Sequence, residues 1–145
     1  MPSPSPDSPL KVLFVTPECA PLVKTGGLGD VSAALPAALK AAGVDVRVLL
    51  PGYLAVLAAA TGAPELATLD VLGRSVRLLE TELPSGVPLL VADCPSLFAR
   101  GGGPYQADDG EDWEDNSLRF GVLSKLAAIL GAAASPLEWR PDVVH

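Results

Sequence analysis

The sequence predicts an α/β domain of three layers, with a mainly parallel sheet between helices and an added hairpin. Three observations carry this. Lys11 to Thr16 (KVLFVT) and Val44 to Leu50 (VDVRVLL) are short apolar runs of the kind found in parallel strands buried on both faces. Between them, Leu28 to Ala42 repeats apolar residues at helical spacing. From Glu65 to Cys94, three further strand candidates follow one another with only turn residues between them. Strand, helix and strand in close order indicate a right-handed parallel crossover, and the arrangement is Rossmann-like.

Residues 1–9, MPSPSPDSP, lack the basic region and apolar core of a signal peptide and read as a disordered tail, which leaves 10–145 as the domain. After the first strand, Pro17 and Pro21 make a loop that lasts to Val23 and delays the helix. In that helix Leu28, Val31, Leu35, Ala38, Leu39 and Ala42 form one apolar face, predicted to be buried. Pro36 predicts a kink, because an interior proline removes a hydrogen bond at a cost of about 3 kcal/mol. Gly43 ends the helix, and Pro51-Gly52 closes the second strand.

Leu66 to Leu72 (LATLDVL), Ser75 to Leu83 (SVRLLETEL) and Val87 to Cys94 (VPLLVADC) then suit a hairpin or meander, punctuated by Gly73-Arg74 and Ser85-Gly86. Pro95 to Pro104 is predicted as a loop ending in GGGP, with Tyr105 just beyond it. A second helix is predicted from about Asp112 to Leu130, burying Leu118, Val122, Leu126 and Ile129. Arg140 to His145 (RPDVVH) begins another parallel strand. A buried strand with no helix after it predicts a chain truncated on its C-terminal side.

A chain of 145 residues suits one domain that buries about two thirds of its unfolded surface. No apolar run reaches the ~18 residues of a membrane span. Cys19 and Cys94 have neither CxxC spacing nor the density of a secreted scaffold, so reduced thiols in a cytoplasmic protein are expected. The net charge of −7 disfavours nucleic acid as a partner. Most of it lies in Asp108 to Asp115 (DDGEDWED), with six carboxylates and no cation. That segment reads as an acidic loop leading into a helix start, where each well-placed charge is favourable by about 0.3–1 kcal/mol. It lacks the oxygen-ligand spacing and mid-loop glycine of an EF-hand, so no metal is expected.

The stretch with the most chemical content is Lys24 to Asp30, KTGGLGD. Backbone N–H groups and the positive end of a helix dipole converge at such a start and make an anion site. Gly26 and Gly27 let the main chain approach a phosphate, and Lys24 adds a movable charge. The segment reads as the holder of a sugar nucleotide's diphosphate. Gly27 to Ser32 (GLGDVS) also nearly makes GxGxxG, which raises a dinucleotide-dependent oxidoreductase using NAD as an alternative. Against it, about ten residues separate the strand end from the glycines, and no carboxylate ends the second strand. A non-catalytic sugar-nucleotide-binding or interaction module is the remaining class.

The combination VLFVTPECAPLVKTGGLGDVSAALPAAL, VRVLLPGY, NSLRF and WRPDVVH resembles the N-terminal domain of bacterial glycogen synthases and plant starch synthases, over essentially Lys11 to His145. The resemblance implies the N-terminal half of a two-domain GT-B fold and a retaining glucosyltransferase. The implied reaction moves glucose from ADP-glucose to the non-reducing end of an α-1,4-glucan, with no cofactor or obligatory metal. It implies donor contacts for Lys24 at the phosphates and for the N–H groups of Gly26 and Gly27. Glu18 and Asp30 match acidic positions beside this loop, with hydrogen bonds to sugar or to Lys24. Tyr105, Asp115, Asn116 and Arg119 match a second patch near the cleft. His145 matches only the first residue of the family's HAHDW segment. The C-terminal domain that supplies most of the nucleotide pocket is an implied partner, and the chain alone is expected to be inactive.

Overall fold

The computed structural model describes residues 7–145, so most of the expected N-terminal tail lies outside the described residues. One six-stranded sheet organises the chain. Its strands are β1 (Lys11–Val15), β2 (Asp45–Pro51), β3 (Glu65–Val71), β4 (Arg74–Glu82), β5 (Pro88–Asp93) and β6 (Val143–Val144), in the spatial order β3-β4-β5-β2-β1-β6. The four strands β5, β2, β1 and β6 run parallel, while β3, β4 and β5 form an antiparallel meander at one side. The mainly parallel sheet with an added hairpin is therefore the observed architecture.

The apolar runs explain why the parallel strands sit at the centre. Leu13, Val48, Leu49, Leu50 and Leu89 to Ala92 are all fully buried, as strands covered on both faces require. Val15 continues the ladder beyond β6 by donating to the carbonyl of His145, and His145 donates to Leu13. The His145 ring stacks on Phe14 with centroids 5.0 Å apart. The short β6 thus sits within a slightly longer extended segment, close to the strand predicted there, but the expected burial is corrected: β6 is the edge strand, and Val143 and Val144 are exposed.

Four helices accompany the sheet: α1 (Gly27–Ala41), α2 (Leu54–Ala59), α3 (Pro95–Phe98) and α4 (Asn116–Leu130). The short helices α2 and α3 were not expected. Leu54 to Ala59 carries no helix-start signal, and Pro95 to Phe98 is a single turn with proline at its first position. The expected helix from Asp112 begins at Asn116, because Asp112 to Asp115 belong to the acidic loop. Helix α1 is one continuous element through Pro36.

The face predicted for α1 is corrected by the structure. Leu28, Val31 and Leu35 are 48%, 52% and 38% exposed, and the buried positions are Gly29, Ser32 and Pro36. Small residues let this helix lie close to the sheet, so Leu28, Val31 and Leu35 point outward, while Leu39 of the predicted face stays half-buried against the core. In α4, Val122 and Leu126 are buried as predicted, whereas Leu118 and Ile129 are half-buried and Arg119, Leu123 and Leu130 lie inside.

The carboxyl ends of β1, β2 and β5 open into three loops that meet. Gly52, just past β2, donates to the carbonyl of Ala92 at the end of β5, and a Cβ there would come within 3.0 Å of that oxygen. Tyr53 then donates its hydroxyl to the carbonyl of Pro17, just past β1, at 2.7 Å. Its ring meets Phe98 of α3 edge-on. These contacts bring the loop after β1 beside the loop after α3, at the strand ends where ligands of α/β sheets bind.

Candidate anion site at the start of helix α1

Glu18 stands at the centre of the meeting loops, 2% exposed. Its Oε1 accepts from the N–H groups of Gly29 at 2.9 Å, Thr25 at 3.3 Å and Gly26 at 3.4 Å. Its Oε2 accepts from the Thr25 hydroxyl at 2.8 Å and from the Tyr105 hydroxyl at 2.7 Å. Burial alone would raise the carboxyl pKa. The bonds from Tyr105, Thr25 and Gly29 outweigh it and hold the group below the ordinary value of 4.5. The Tyr105 hydroxyl is pushed up, first by burial and then by donating to Glu18.

Around this carboxylate the chain turns into α1. Gly26 is the residue before the helix, with φ −165° and ψ −155°, an extended conformation open to any residue. A Cβ at Gly26 or Gly27 would meet nothing within 4 Å. Both glycines therefore face open space. The N–H groups of Gly27 and Leu28, exposed at the helix start, have no hydrogen-bond partner among the described residues. Helix starts leave such donors over, and here they point into an accessible surface. Lys24 is half-exposed, and its ammonium lies 2.8 Å from Asp30 in the first turn. Asp30, not Glu18, is thus the partner of Lys24.

Gly29 is the one glycine of this segment whose Cβ position is crowded by neighbours. A Cβ there would lie 3.0 Å from Cγ of Lys24 and 3.2 Å from Oε1 of Glu18. One turn further, Ser32 is fully buried and shares a 2.8 Å hydrogen bond with the Thr16 hydroxyl, which in turn donates to the Glu18 carbonyl at 2.7 Å. Thr25, Gly29, Thr16 and Ser32 were not singled out from the sequence. Thr25 and Gly29 lie inside KTGGLGD, and the signal was the need of an acidic residue at position 18 for donors once it was buried. Cys19 next to it is fully buried, and burial pushes its thiol up to about 11.

The second patch is built from α4 and the loop before it. Arg119 is 1% exposed, and its Nε and one terminal nitrogen donate to protein acceptors. Its Nε donates to the carbonyl of Leu97 at 2.6 Å, and one terminal nitrogen donates to Pro104 at 2.7 Å and to Oδ1 of Asn116 at 2.8 Å. Phe98 and Phe120 lie under its guanidinium, at 5.5 and 5.3 Å. Asn116 donates from Nδ2 to the Tyr105 carbonyl at 2.9 Å. Asp115 is gripped by both terminal nitrogens of Arg100, at 2.8 and 2.6 Å. That bond, helped by the guanidinium charge and opposed by burial, lowers the Asp115 pKa from its ordinary 3.8.

Arg119, Asn116 and the Arg100–Asp115 pair therefore shape the loop that carries Tyr105. Gly102 lets that loop turn, with φ +74° and only 2.7 Å between a would-be Cβ and the Gln106 carbonyl. The structure brings the two predicted patches together where the Tyr105 hydroxyl donates to Glu18. A shallow open pocket next to it is lined by Thr25, Gly103, Pro104, Tyr105, Gln106 and Asp112. Among the described residues, no group of three or more histidine, cysteine or acidic side chains is placed to hold a metal ion, and no helix is long and apolar enough to cross a membrane.

Comparison with known proteins shows the family and the fold. A family described as "Starch synthase catalytic domain" matches residues 11–145. Glycogen synthase of Aromatoleum aromaticum is 62% identical over 138 residues, covering 94% of this chain and 28% of that protein. Glycogen synthase of Nitrosomonas eutropha is 55% identical over 152 residues, covering 100% and 30%. The solved catalytic domain of starch synthase IV from Arabidopsis thaliana, bound to ADP and acarbose, superimposes with a TM-score of 0.66 at 26% identity, covering 95% of this chain and 28% of that one. The chain thus spans less than a third of the length of the relatives it matches. Its mixed sheet with flanking helices is the corresponding part of a GT-B starch synthase fold. With the match running from the first strand to the last residue, the chain belongs to the starch synthase catalytic domain family.

Proposed function

We propose that this chain forms the donor-phosphate wall of a glucosyltransferase cleft, which moves glucose from ADP-glucose to the non-reducing end of an α-1,4-glucan with retention, in glycogen synthesis. The observation that supports it most is the start of α1. Two exposed N–H groups, on Gly27 and Leu28, stand without partners among the described residues, beside a half-exposed Lys24. Such a group of donors suits a diphosphate, and the relative solved with ADP favours an adenine nucleotide.

On the arriving diphosphate, Lys24 exchanges Asp30 for a phosphate oxygen. The helix N–H groups supply fixed donors that need no reorganisation as the leaving group gains charge. Asp30 stays in the first turn, where its charge is favourable to the helix dipole. The acceptor glucan lies across the open pocket by Tyr105 and Gln106. A second α/β domain closes the cleft, encloses the nucleotide and excludes water. The protein works in the cytoplasm, without metal or cofactor.

Calorimetric titration of the 145-residue chain with ADP tests this. We expect weak binding, with Kd on the order of 1 mM, and a further loss of about tenfold in Lys24→Ala. No incorporation of glucose into glycogen is expected from the chain alone. Equal ADP affinity in the variant, or preference for NAD over ADP, overturns the reading.

A further inference from the structure

We infer that Glu18 is the positioning residue of the α1 anion site, a brace that fixes the helix start without touching ligand, and that Tyr105 ties the second loop to it. This rests on the donor-phosphate reading for its consequence in binding, but not for its geometry.

Five hydrogen bonds arrive at one carboxylate, and every one of them comes from an N–H or O–H group. Three come from backbone N–H groups at Thr25, Gly26 and Gly29, which bracket the free N–H groups of Gly27 and Leu28. Fixing both sides of the pair fixes the pair. The remaining two come from hydroxyls, on Thr25 and on Tyr105, 87 residues further along the chain.

Only an ionised carboxylate can receive this set. An amide at position 18 would turn a donating NH2 towards either the helix N–H groups or the two hydroxyls. Glu18 is also closed off: it is 2% exposed and both its oxygens are occupied. No oxygen is left over for a sugar hydroxyl, and Lys24 is engaged elsewhere. The Tyr105 hydroxyl comes from a loop whose own carbonyls are held by Asn116, Trp113 and Arg119. Movement of that loop therefore reaches the anion site through the Tyr105 hydrogen bond.

Glu18→Gln in the same chain, followed by amide hydrogen exchange and ADP titration, decides this. Exchange at Gly29 rises by about tenfold or more, while amides of β2 and β5 keep their protection. ADP affinity falls by about fivefold, with the thermal melt still cooperative. Thr25→Val, at an exposed position, guards against a Glu18 variant that does not fold and gives about half that change on a logarithmic scale. Thr25→Ser keeps the hydroxyl and returns both values to wild type. Unchanged exchange at Gly29 in both variants overturns the brace. So does loss of ADP affinity in Glu18→Gln with exchange unchanged, which would make Glu18 a ligand contact. Failure of the wild-type chain to bind ADP overturns the donor reading alone, and the exchange result then decides the brace.

Discussion

Helices α1 and α4 are both 15 residues long, yet they meet the rest of the chain in opposite ways. The α1 helix buries Gly29, Ser32 and Pro36 and leaves three large apolar side chains exposed. The α4 helix buries Val122, Leu123, Leu126 and Leu130 together with a whole arginine. One helix is placed by close approach and hydrogen bonds, the other by bulk. The difference follows from what each start must do. The start of α1 has to reach the Glu18 carboxylate with its backbone, so small residues face inward there. The side chains of α4 carry the loop that presents Tyr105, so they must be long enough to span to it.

The largest effect on the Tyr105 loop should come from the residue that makes α4 unusual. Arg119→Ala removes three hydrogen bonds, leaves the carbonyls of Leu97 and Pro104 without their donor, and opens a cavity beneath Phe98. We expect a loss of about 2–4 kcal/mol in urea denaturation, from buried carbonyls left unpaired and lost packing. The Tyr105 loop should lose exchange protection at the same time. A loss below about 1 kcal/mol would mean that packing by Phe98 and Phe120, not the arginine, holds the loop.

A leucine on each helix sharpens the contrast. Leu126 is fully buried and Leu35 is 38% exposed, although the same periodicity predicts both to face the core. Leu126→Ala should cost about 2–5 kcal/mol, and Leu35→Ala no more than about 1 kcal/mol. Similar losses at the two sites would mean that the α1 stripe is covered in solution.

This pair also shows where the sequence was legible. The strands could be read because KVLFVT, VDVRVLL and PLLVAD are apolar on both faces, and that pattern has few other uses. The α4 stripe could be read at Val122 and Leu126 because bulk decides its packing. On α1 the periodicity was real but its direction was inverted, since residue size near a tightly packed sheet counts for more than hydrophobicity. At the site, KTGGLGD announced a helix start with spare N–H groups. The Glu18 hub was hidden, because Tyr105 lies 87 residues away and nothing local in either segment records the contact. The α2 and α3 turns were also hidden, as short helices set by tertiary packing and not by propensity.

The smallest effect compares the two helix starts by pH. Glu18 braces α1, and Asp115 stands just before α4, held by Arg100. Both carboxyls titrate below their ordinary values in the folded chain, 4.5 for Glu18 and 3.8 for Asp115. A depressed folded value means that the unfolded chain binds protons first as acid is added. The contribution of each group is therefore complete above its unfolded value and is lost as pH falls through the folded one. For Glu18 the loss begins below 4.5, and each unit of depression corresponds to about 1.4 kcal/mol. Urea denaturation from pH 6 downward should show stability falling in wild type from about pH 4.5, where the Glu18 carboxyl begins to protonate in the unfolded chain. In Glu18→Gln the first part of that fall should disappear, and what remains should start nearer the Asp115 range. An unchanged profile would mean that the brace on α1 contributes no pH dependence, and that the acid sensitivity of this fold belongs to the α4 start instead.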